Sequence, residues 1–367
     1  MSARFFVVDG PGYLYRAYHA LPYLSNSKGQ ATHAVRGVST MLLKLLREEN
    51  PEYAAVAWDP PGPTFREEKL PSYKETRPSM PDDLRSQIAL VKRVFEALRL
   101  PCLEVPGFEA DDVLGTLCEK MRTEPVEMVL VTGDKDMLQL VGPRVRVLST
   151  NARGEPVWFD DAAVSAKWGV APMQIPDLLA LMGDSIDNIP GVPGVGEKTA
   201  VKLISQFGSV ERLYENLTLV PGKVRETLAV NRRQALLSRE LATLSTRVPI
   251  DQGLEAFRRQ EPDWERLRAL WTELEFDSLL RLLPAREAPS ITSESLPSLQ
   301  GAALRPWLMA VPADDPVAVD WVGEGGPPEP ALGALGLFHP AAGAVSLTLG
   351  PGAPDFGRRR LVGHDVK

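Results

Sequence analysis

Three apolar runs in the first half of the chain close on an aspartate: Phe5-Phe6-Val7-Val8-Asp9, Ala54-Ala55-Val56-Ala57-Trp58-Asp59 and Val129-Leu130-Val131-Thr132-Gly133-Asp134. Unbroken runs of this length predict strands buried on both faces. Between them, apolar residues recur at helical spacing. Ile88, Val91, Val94 and Leu98 line one face of a helix expected over Asp82–Arg99; others are expected over Ala34–Glu48, Asp111–Arg122 and Lys135–Val141. Strands and helices alternating from Arg4 to about Leu148 predict an α/β domain with a parallel sheet covered on both faces. Ligands of such open sheets sit beyond the carboxyl ends of the strands, where these aspartates lie.

One segment breaks the pattern. Between Asp59 and Asp82, five prolines (Pro60, Pro61, Pro63, Pro71 and Pro78) precede Pro81 and exclude a long helix or a central strand. So long a connection inside a domain is usually functional. Its Arg66, Lys69, Lys74 and Arg77 interleave with Phe65 and Tyr73, which suits an arch gripping phosphate; the plain alternative is a solvated loop.

Residues from Asp177 to about Leu282 read as mostly helical. Past Pro284 the composition shifts to Ala, Pro, Gly and Leu, and Ser290 to Ser298 reads as a linker. Strand-like fragments follow at Val317–Val319 and Ala344–Leu349. The ending at Gly363-His364-Asp365-Val366-Lys367 leads us to expect a longer parent protein.

With 367 residues, 44% hydrophobic and 24% charged, the chain has the length for two or three domains and a globular composition. Met1-Ser2-Ala3-Arg4 runs straight into a strand-like segment and no apolar stretch reaches spanning length, so neither a secretory signal nor a membrane span is expected. Cys102 and Cys118 have no zinc-type spacing and make no disulfide framework, in keeping with a reduced, cytoplasmic protein. The net charge of −7 speaks only weakly against nucleic acid, because a carboxylate site biases the sum and binding depends on local basic surface.

The candidate chemistry is acidic. Asp9, Asp59 and Asp134 are joined by Asp136, by Glu109, Asp111 and Asp112 at a helix start, and by Asp184 and Asp187 at i,i+3. Each small group alone has an ordinary reading, as a helix cap or first-turn acid. Together they would repel unless divalent cations compensated them, and hard carboxylate oxygens suit Mg²⁺ or Mn²⁺. Two such ions can clamp a scissile phosphate without a protein nucleophile. That fits a chain whose His19, His33, His339 and His364 form no triad-like pattern.

Gly191-Val192-Pro193-Gly194-Val195-Gly196-Glu197-Lys198-Thr199 is neither a P-loop, since Glu197 separates Gly196 from Lys198, nor a dinucleotide fingerprint, since no strand leads into it. It suits a glycine hairpin between helices that holds a nucleic-acid backbone through Gly194, Gly196, Lys198, Thr199 and Lys202. A structural helix–helix turn is the alternative.

Taken in order, Asp9-Gly10, Asp59, Tyr73-Lys74-Glu75-Thr76-Arg77-Pro78, Gly107-Phe108-Glu109-Ala110-Asp111-Asp112, Thr132-Gly133-Asp134-Lys135-Asp136 and Gly183-Asp184-Ser185-Ile186-Asp187-Asn188 resemble the 5′ nuclease domain of bacterial DNA polymerase I, within the flap endonuclease family. The resemblance runs from about Arg4 to Leu283. It implies a PIN-like nuclease core over 1–175 with a helical arch at about 60–84, then a helix–three-turn–helix DNA-binding region over 176–284. A linker over 285–300 would follow. One metal would lie near Asp9, Asp59, Glu109 and Asp111, and a second near Asp111, Asp112, Asp134, Asp136 and Asp187, with Asp184 alongside. Lys74 and Arg77 would contact the scissile phosphate, Tyr15 would stack on a terminal base, and Arg66 and Tyr73 would touch DNA. Residues 301–367 resemble the start of a 3′–5′ exonuclease-like domain; Asp320-Trp321-Val322 lacks the glutamate of its Asp-x-Glu motif, so it is expected to be inactive.

The expected function is therefore a Mg²⁺-dependent 5′–3′ exonuclease and flap endonuclease, with Mn²⁺ able to substitute. It would act on nicked or branched duplex DNA and on RNA primer 5′ ends, as a nucleoid-associated monomer without membrane contact. A metal-dependent ribonuclease of the related α/β class and an inert DNA-binding module remain the alternatives.

Overall fold

In the computed structural model of the chain, residues 3–151 and 153–284 are described, with short stretches of the C-terminal segment. Two compact units result, Met1–Leu283 and Pro284–Lys367. The first opens with β1 (Ala3–Asp9), α1 (Gly10–Ala20), α2 (His33–Glu49), β2 (Tyr53–Ala57), the short helices α3 (Phe65–Lys69) and α4 (Asp82–Arg85), and α5 (Ile88–Ala97). Then come β3 (Cys102–Leu103), α6 (Ala110–Lys120), β4 (Val126–Val131), β5 (Val145–Thr150) and β6 (Pro156–Phe159).

These strands form one sheet in the order β3-β2-β1-β4-β5-β6, parallel except for the β5–β6 pair. Alternation along β1 builds a core on each face. Phe5 and Val7 join the cluster containing Leu114 and Leu117 of α6, while Phe6 and Val8 join Leu14, Val38 and Val94 of α1, α2 and α5. Burial on both sides is why the strand reads as an unbroken apolar run. From β1 the strand order runs outward in both directions, the reversal that leaves a crevice at the carboxyl ends. Register sets Asp9 opposite Ala57 and Val8 opposite Val131. β2 and β4 stop short of Asp59 and Asp134, so these two carboxylates sit on connecting segments just beyond the sheet.

Two elements differ from expectation. Asp82–Arg99 is two helices parted at Ser86-Gln87; the buried Gln87 side chain accepts from the N–H groups of Ala34 and Val35 at 2.8 and 3.2 Å, which caps the start of α2. Lys135–Val141 winds into a 3₁₀ turn over Asp136–Leu140 rather than an α-helix. Gly10-Pro11-Gly12 begins α1: Asp9 caps it by accepting from Gly12 N at 2.8 Å, and proline suits a first helical turn. Of the arch, only α3 and α4 are helical; the chain between them runs mainly through turns.

The first unit continues with α7 (Asp161–Trp168), α8 (Ile175–Met182), α9 (Glu197–Phe207), α10 (Val210–Glu215), α11 (Gly222–Val230), α12 (Arg232–Ala242), α13 (Trp264–Glu273) and α14 (Asp277–Leu280). Seven consecutive residues of α8, Ile175 to Leu181, are buried, which makes it the axis of this helical region. α13 returns to the sheet, where Leu267, Leu270 and Trp271 join the cluster on the α2 and α5 side. No helix among the described residues is long and apolar enough to cross a membrane.

The second unit contains β7 (Ser298–Leu299), β8 (Val317–Val322), β9 (Ala334–His339), β10 (Gly343–Thr348) and β11 (Leu361–Val362), in the sheet order β11-β8-β9-β10-β7. The two strand-like fragments read from sequence lie within or overlap β8 and β10. Apart from Ser298–Leu299, the linker expected over 285–300 lies outside the described residues, as do His364 and Asp365.

Candidate metal centre and nucleic-acid interface

The strand-end carboxylates are fixed by local hydrogen bonds. Asp9 is buried; its second oxygen accepts from Thr132 Oγ1 at 2.7 Å, and Thr132 Oγ1 in turn accepts from Asp134 N at 3.0 Å. Asp134 Oδ1 accepts from Asp136 N at 2.8 Å, so the turn after β4 holds both acids. Asp59 Oδ1 accepts from Ala110 N at 2.8 Å and thereby anchors the first turn of α6, which carries Glu109, Asp111 and Asp112.

A tight loop after α8 supplies the remaining acids. Asp184 and Ile189 exchange backbone hydrogen bonds at 2.8 Å. Gly183 and Gly191 close its base with φ of 79° and 61°, and a Cβ at Gly191 would lie 2.3 Å from Gly183 N, so only glycine fits there. Asp136, Asp184 and Asp187, all buried, offer oxygen atoms within 4.8 Å of one another.

The arch lies against this site. Lys74 Nζ reaches Glu109 Oε1 at 2.6 Å, Arg77 pairs with Asp187, and Lys135 pairs with Asp184. Lys74 N donates to Asp187 O at 3.0 Å and Asn188 Nδ2 to Ser72 O at 2.6 Å, so arch and loop share backbone contacts. Asp9, Asp111 and Asp134 form no ion pair among the described residues, and Asp136 Oδ1 is buried without a hydrogen-bond partner.

Electrostatics follow from this imbalance. Burial, with Asp134 and Asp59 adding repulsion, pushes Asp9 up to about 6 against its hydrogen bonds. Burial and then Asp134 raise Asp136 to about 8, and burial with Asp134 and Asp9 holds Asp111 well above the usual carboxylate range. Asp187 goes the other way: burial would raise it, but Lys74 and Arg77 outweigh that and lower it. A cluster of acids resisting ionisation at one sheet edge is a site short of positive charge.

Three sequence assignments are corrected. Asp112 does not face the cluster: Oδ1 accepts from Arg66 Nη2 and Ser245 N, both at 2.8 Å, and Oδ2 from Arg66 Nη1 at 2.7 Å and Glu109 N at 3.1 Å. Four donors fill its lone pairs, and the residue has no exposed surface, so it has no oxygen left for a cation. Arg66 is 1% exposed and cannot touch DNA directly. Tyr73 is also buried, its hydroxyl lying between Glu109 and Asp187 at 3.2 and 3.1 Å.

The glycine hairpin joins α8 to α9. Gly194, Gly196, Lys198 and Lys202 are exposed and Thr199 is half-buried. Gly194 has φ of 77°, whereas Gly196 is extended and caps α9; a Cβ on either would meet no atom of the chain. Tyr15 is exposed on α1 and stacks on His19.

Asp9, Asp134, Asp184 and Asp187 open onto a cavity of about 790 Å³ that Arg16 and Lys44 also line. Sequence reasoning passed over both cations, and over Lys135. Arg16 had a signal, since it lies seven residues beyond Asp9 and so returns to the same side of α1. Lys135 was legible as the one cation between two acids. Lys44 had none.

Comparison with known proteins agrees with this geometry. Residues 4–169 match the 5′-3′ exonuclease N-terminal resolvase-like domain and residues 170–265 the 5′-3′ exonuclease C-terminal SAM fold. A DNA polymerase I of Pseudomonas aeruginosa is 47% identical over 294 residues, 77% of this chain and 32% of that protein. The chain thus spans about a third of the length of the polymerases it matches. A 5′-3′ exonuclease of Aquifex aeolicus is 39% identical over 276 residues, 75% of this chain and 93% of that one. Among solved structures, a bacteriophage T5 flap endonuclease in a pseudo-enzyme-product complex with DNA and metal ions aligns with a TM-score of 0.56 at 21% identity, covering 76% of this chain and 97% of that one. At that identity the likeness speaks for the fold. The family matches, the near-complete match to a free-standing nuclease and the shared fold together show that this chain belongs to the 5′–3′ exonuclease family.

Proposed function

We propose that the chain is a divalent-metal-dependent, structure-selective 5′ nuclease that hydrolyses phosphodiesters at 5′ flaps and 5′ ends of nicked or branched duplex DNA, RNA primers included. The observation that carries this reading is the excess of acid beside the strand ends: of eight carboxylates there, Asp9, Asp111 and Asp134 form no ion pair among the described residues, and Asp136 Oδ1 is buried without a hydrogen bond, its ion-pair partner Lys135 Nζ lying 3.5 Å away. Hard oxygen donors of this kind fit Mg²⁺, with Mn²⁺ as substitute, and fit neither a soft metal nor a nucleophilic triad. Asp9, Asp59, Glu109 and Asp111 would hold one ion, and Asp134, Asp136, Asp184 and Asp187 with Asp111 a second. Bound there, such ions supply Lewis acidity, which activates water at neutral pH and neutralises charge on the phosphate and the leaving oxygen.

The chain's own groups do the rest. Thr132 and Gly12 fix the Asp9 carboxylate in one orientation before substrate arrives. Lys74 and Arg77 stand over the same carboxylates and would donate charge-assisted hydrogen bonds to the oxygens of a phosphate drawn into the site. Exposed backbone at Gly194 and Gly196, with Lys198 and Lys202, would hold a duplex arm without reading its sequence. Tyr15 offers a ring to a terminal base.

The relatives support a setting as well. The matches to DNA polymerase I suit a chain forming the nuclease part of such a polymerase; we also propose that it works in the cytoplasm as a monomer and that 301–367 is an inactive 3′–5′ exonuclease-like segment. A 5′-labelled flap duplex tests the central reading: cleavage near the flap junction in Mg²⁺ and none in EDTA are expected. Equal cutting of unstructured RNA, or no cutting of flaps, would refute it.

A further inference from the structure

We propose that Arg66, through Asp112, is a positioning residue that fixes the carboxylate helix and sets the orientation of Glu109. It sits in α3 at the foot of the arch, 1% exposed, and every N–H direction of its guanidinium is directed at the chain. The fork grips Asp112 at 2.7 and 2.8 Å; Nη1 also donates to Glu109 Oε2 at 3.2 Å, Nε to Leu241 O at 2.9 Å and Nη2 to Thr243 O at 3.3 Å. One side chain thus ties together the arch, α6 and the strap that follows α12. The strap is bound to α6 independently: Ser245 N donates to Asp112 at 2.8 Å, Val248 N to Thr116 Oγ1 at 3.1 Å, and a Cβ on Gly115 would lie 3.0 Å from Ser245 O.

Glu109 shows what the clamp does. Its Oε2 is held from the inner side by Arg66 and Tyr73, which leaves Oε1 for Lys74 and the cluster. A carboxylate pinned through one oxygen presents the other in a fixed direction, as a pre-organised ligand requires. Asp112, filled by its four donors, acts through Arg66 rather than on a cation. The inference rests on reading Glu109 and Asp111 as holders of a metal.

A double-mutant cycle separates the possibilities. Losing one partner of a buried pair leaves an uncompensated charge, whereas replacing both by neutral groups removes it. In the full chain, Arg66→Gln, Asp112→Asn and the double variant are compared by Mn²⁺ affinity from calorimetry, by thermal unfolding in EDTA, and by single-turnover cleavage of a flap duplex. Each single variant should weaken Mn²⁺ binding tenfold or more; the double variant, relieved of the unpaired charge, should regain unfolding temperature but not Mn²⁺ affinity, because Glu109 Oε2 still lacks Arg66. Arg66→Lys, which keeps the charge without the planar fork, should fall between, and it is read in the same way should Arg66→Gln fail to fold. Mn²⁺ affinity lost in Asp112→Asn but unchanged in Arg66→Gln would make Asp112 a ligand. Variants at Arg66 that lower only the unfolding temperature, with Mn²⁺ affinity and cleavage rate unchanged, would make the clamp merely structural. Either result overturns the proposal alone; a wild-type chain that binds no Mn²⁺ overturns the metal reading with it.

Discussion

Withdrawing divalent metal should turn this nuclease into a pH-sensitive fold. Asp9 and Asp136 are held at about 6 and about 8, against 3.8 when unperturbed, chiefly because burial disfavours their charge and then because Asp134 repels it. An acid whose pKa rises on folding contributes stability that is complete below its unfolded value and is lost as pH climbs through the folded one. The window therefore opens near pH 4 and closes near pH 8. For Asp9 the rise corresponds to ~3 kcal/mol, to be set against a net stability of roughly 5–15 kcal/mol for a typical domain. At roughly 2–4 °C per kcal/mol for a unit of this size, Asp9 alone should lower the unfolding temperature in EDTA by about 10 °C between about pH 4 and pH 6, and Asp136 should carry the fall on toward pH 8. Asp187 runs oppositely, since Lys74 and Arg77 outweigh its burial and lower it; its contribution is lost only in stronger acid and leaves this window unaffected. Thermal unfolding in EDTA and in millimolar Mg²⁺, across that range, is the assay. Mg²⁺ should restore most of the loss at the alkaline end, and Asp9→Asn should flatten the metal-free profile around pH 6. Metal-free stability that stays level or rises toward pH 8, or an Asp9→Asn profile as steep as the wild type, would refute the reasoning.

Asp134→Asn and Asp187→Asn should each nearly abolish flap cleavage while DNA binding stays intact or tightens, because a cation ligand is lost and repulsion of phosphate relieved; near-normal turnover in saturating Mg²⁺ would contradict this. Lys74→Ala and Arg77→Ala should slow single-turnover cleavage by a factor corresponding to ~3 kcal/mol of barrier, more than they weaken duplex binding. A change confined to the dissociation constant would make them anchors only. Lys198→Ala should weaken duplex binding about equally for all sequences and reduce the salt slope by roughly one. Gly194→Val should cost stability as well as affinity, since φ of 77° strains a β-branched residue, whereas Gly196→Val should lower affinity alone. Matched unfolding temperatures for the two glycine variants would contradict that distinction.

Much of the site could be read in the sequence because the sheet imposes simple rules. A strand buried on both faces must be apolar throughout, so its first acid marks where the chain leaves the sheet; Asp9, Asp59 and Asp134 were legible on that ground. The order of the motifs then identified the family. What stayed hidden depended on which way side chains turn. Arg66, Tyr73 and Asp112 have the composition of a binding surface, yet each is buried, and nothing in their spacing says that the fork of Arg66 folds inward to carbonyls at positions 241 and 243. The helix over Asp82–Arg99 is parted at Ser86-Gln87, where the Gln87 side chain turns inward to Ala34 and Val35, a tertiary contact that local sequence does not announce.

The corrected roles make one electrostatic scheme. Acids that face the cavity are left short of positive charge, while the acid that faces inward, Asp112, has a full set of donors. Arg66 is locked to it, and Lys74 and Arg77 pair with the buried Glu109 and Asp187 rather than with Asp9 or Asp111. The side chains of Lys74 and Arg77 are 19% and 42% exposed, against 1% for Arg66, so the positive charge needed over a phosphate is within reach of solvent without rebuilding the core. Asp9 and Asp111 carry no such pair, so a cation can reach them without displacing one, a displacement that would cost several kcal/mol. The division between pairs within reach of solvent and pairs enclosed in the core is therefore what lets one acidic edge both accept cations and approach a polyanion.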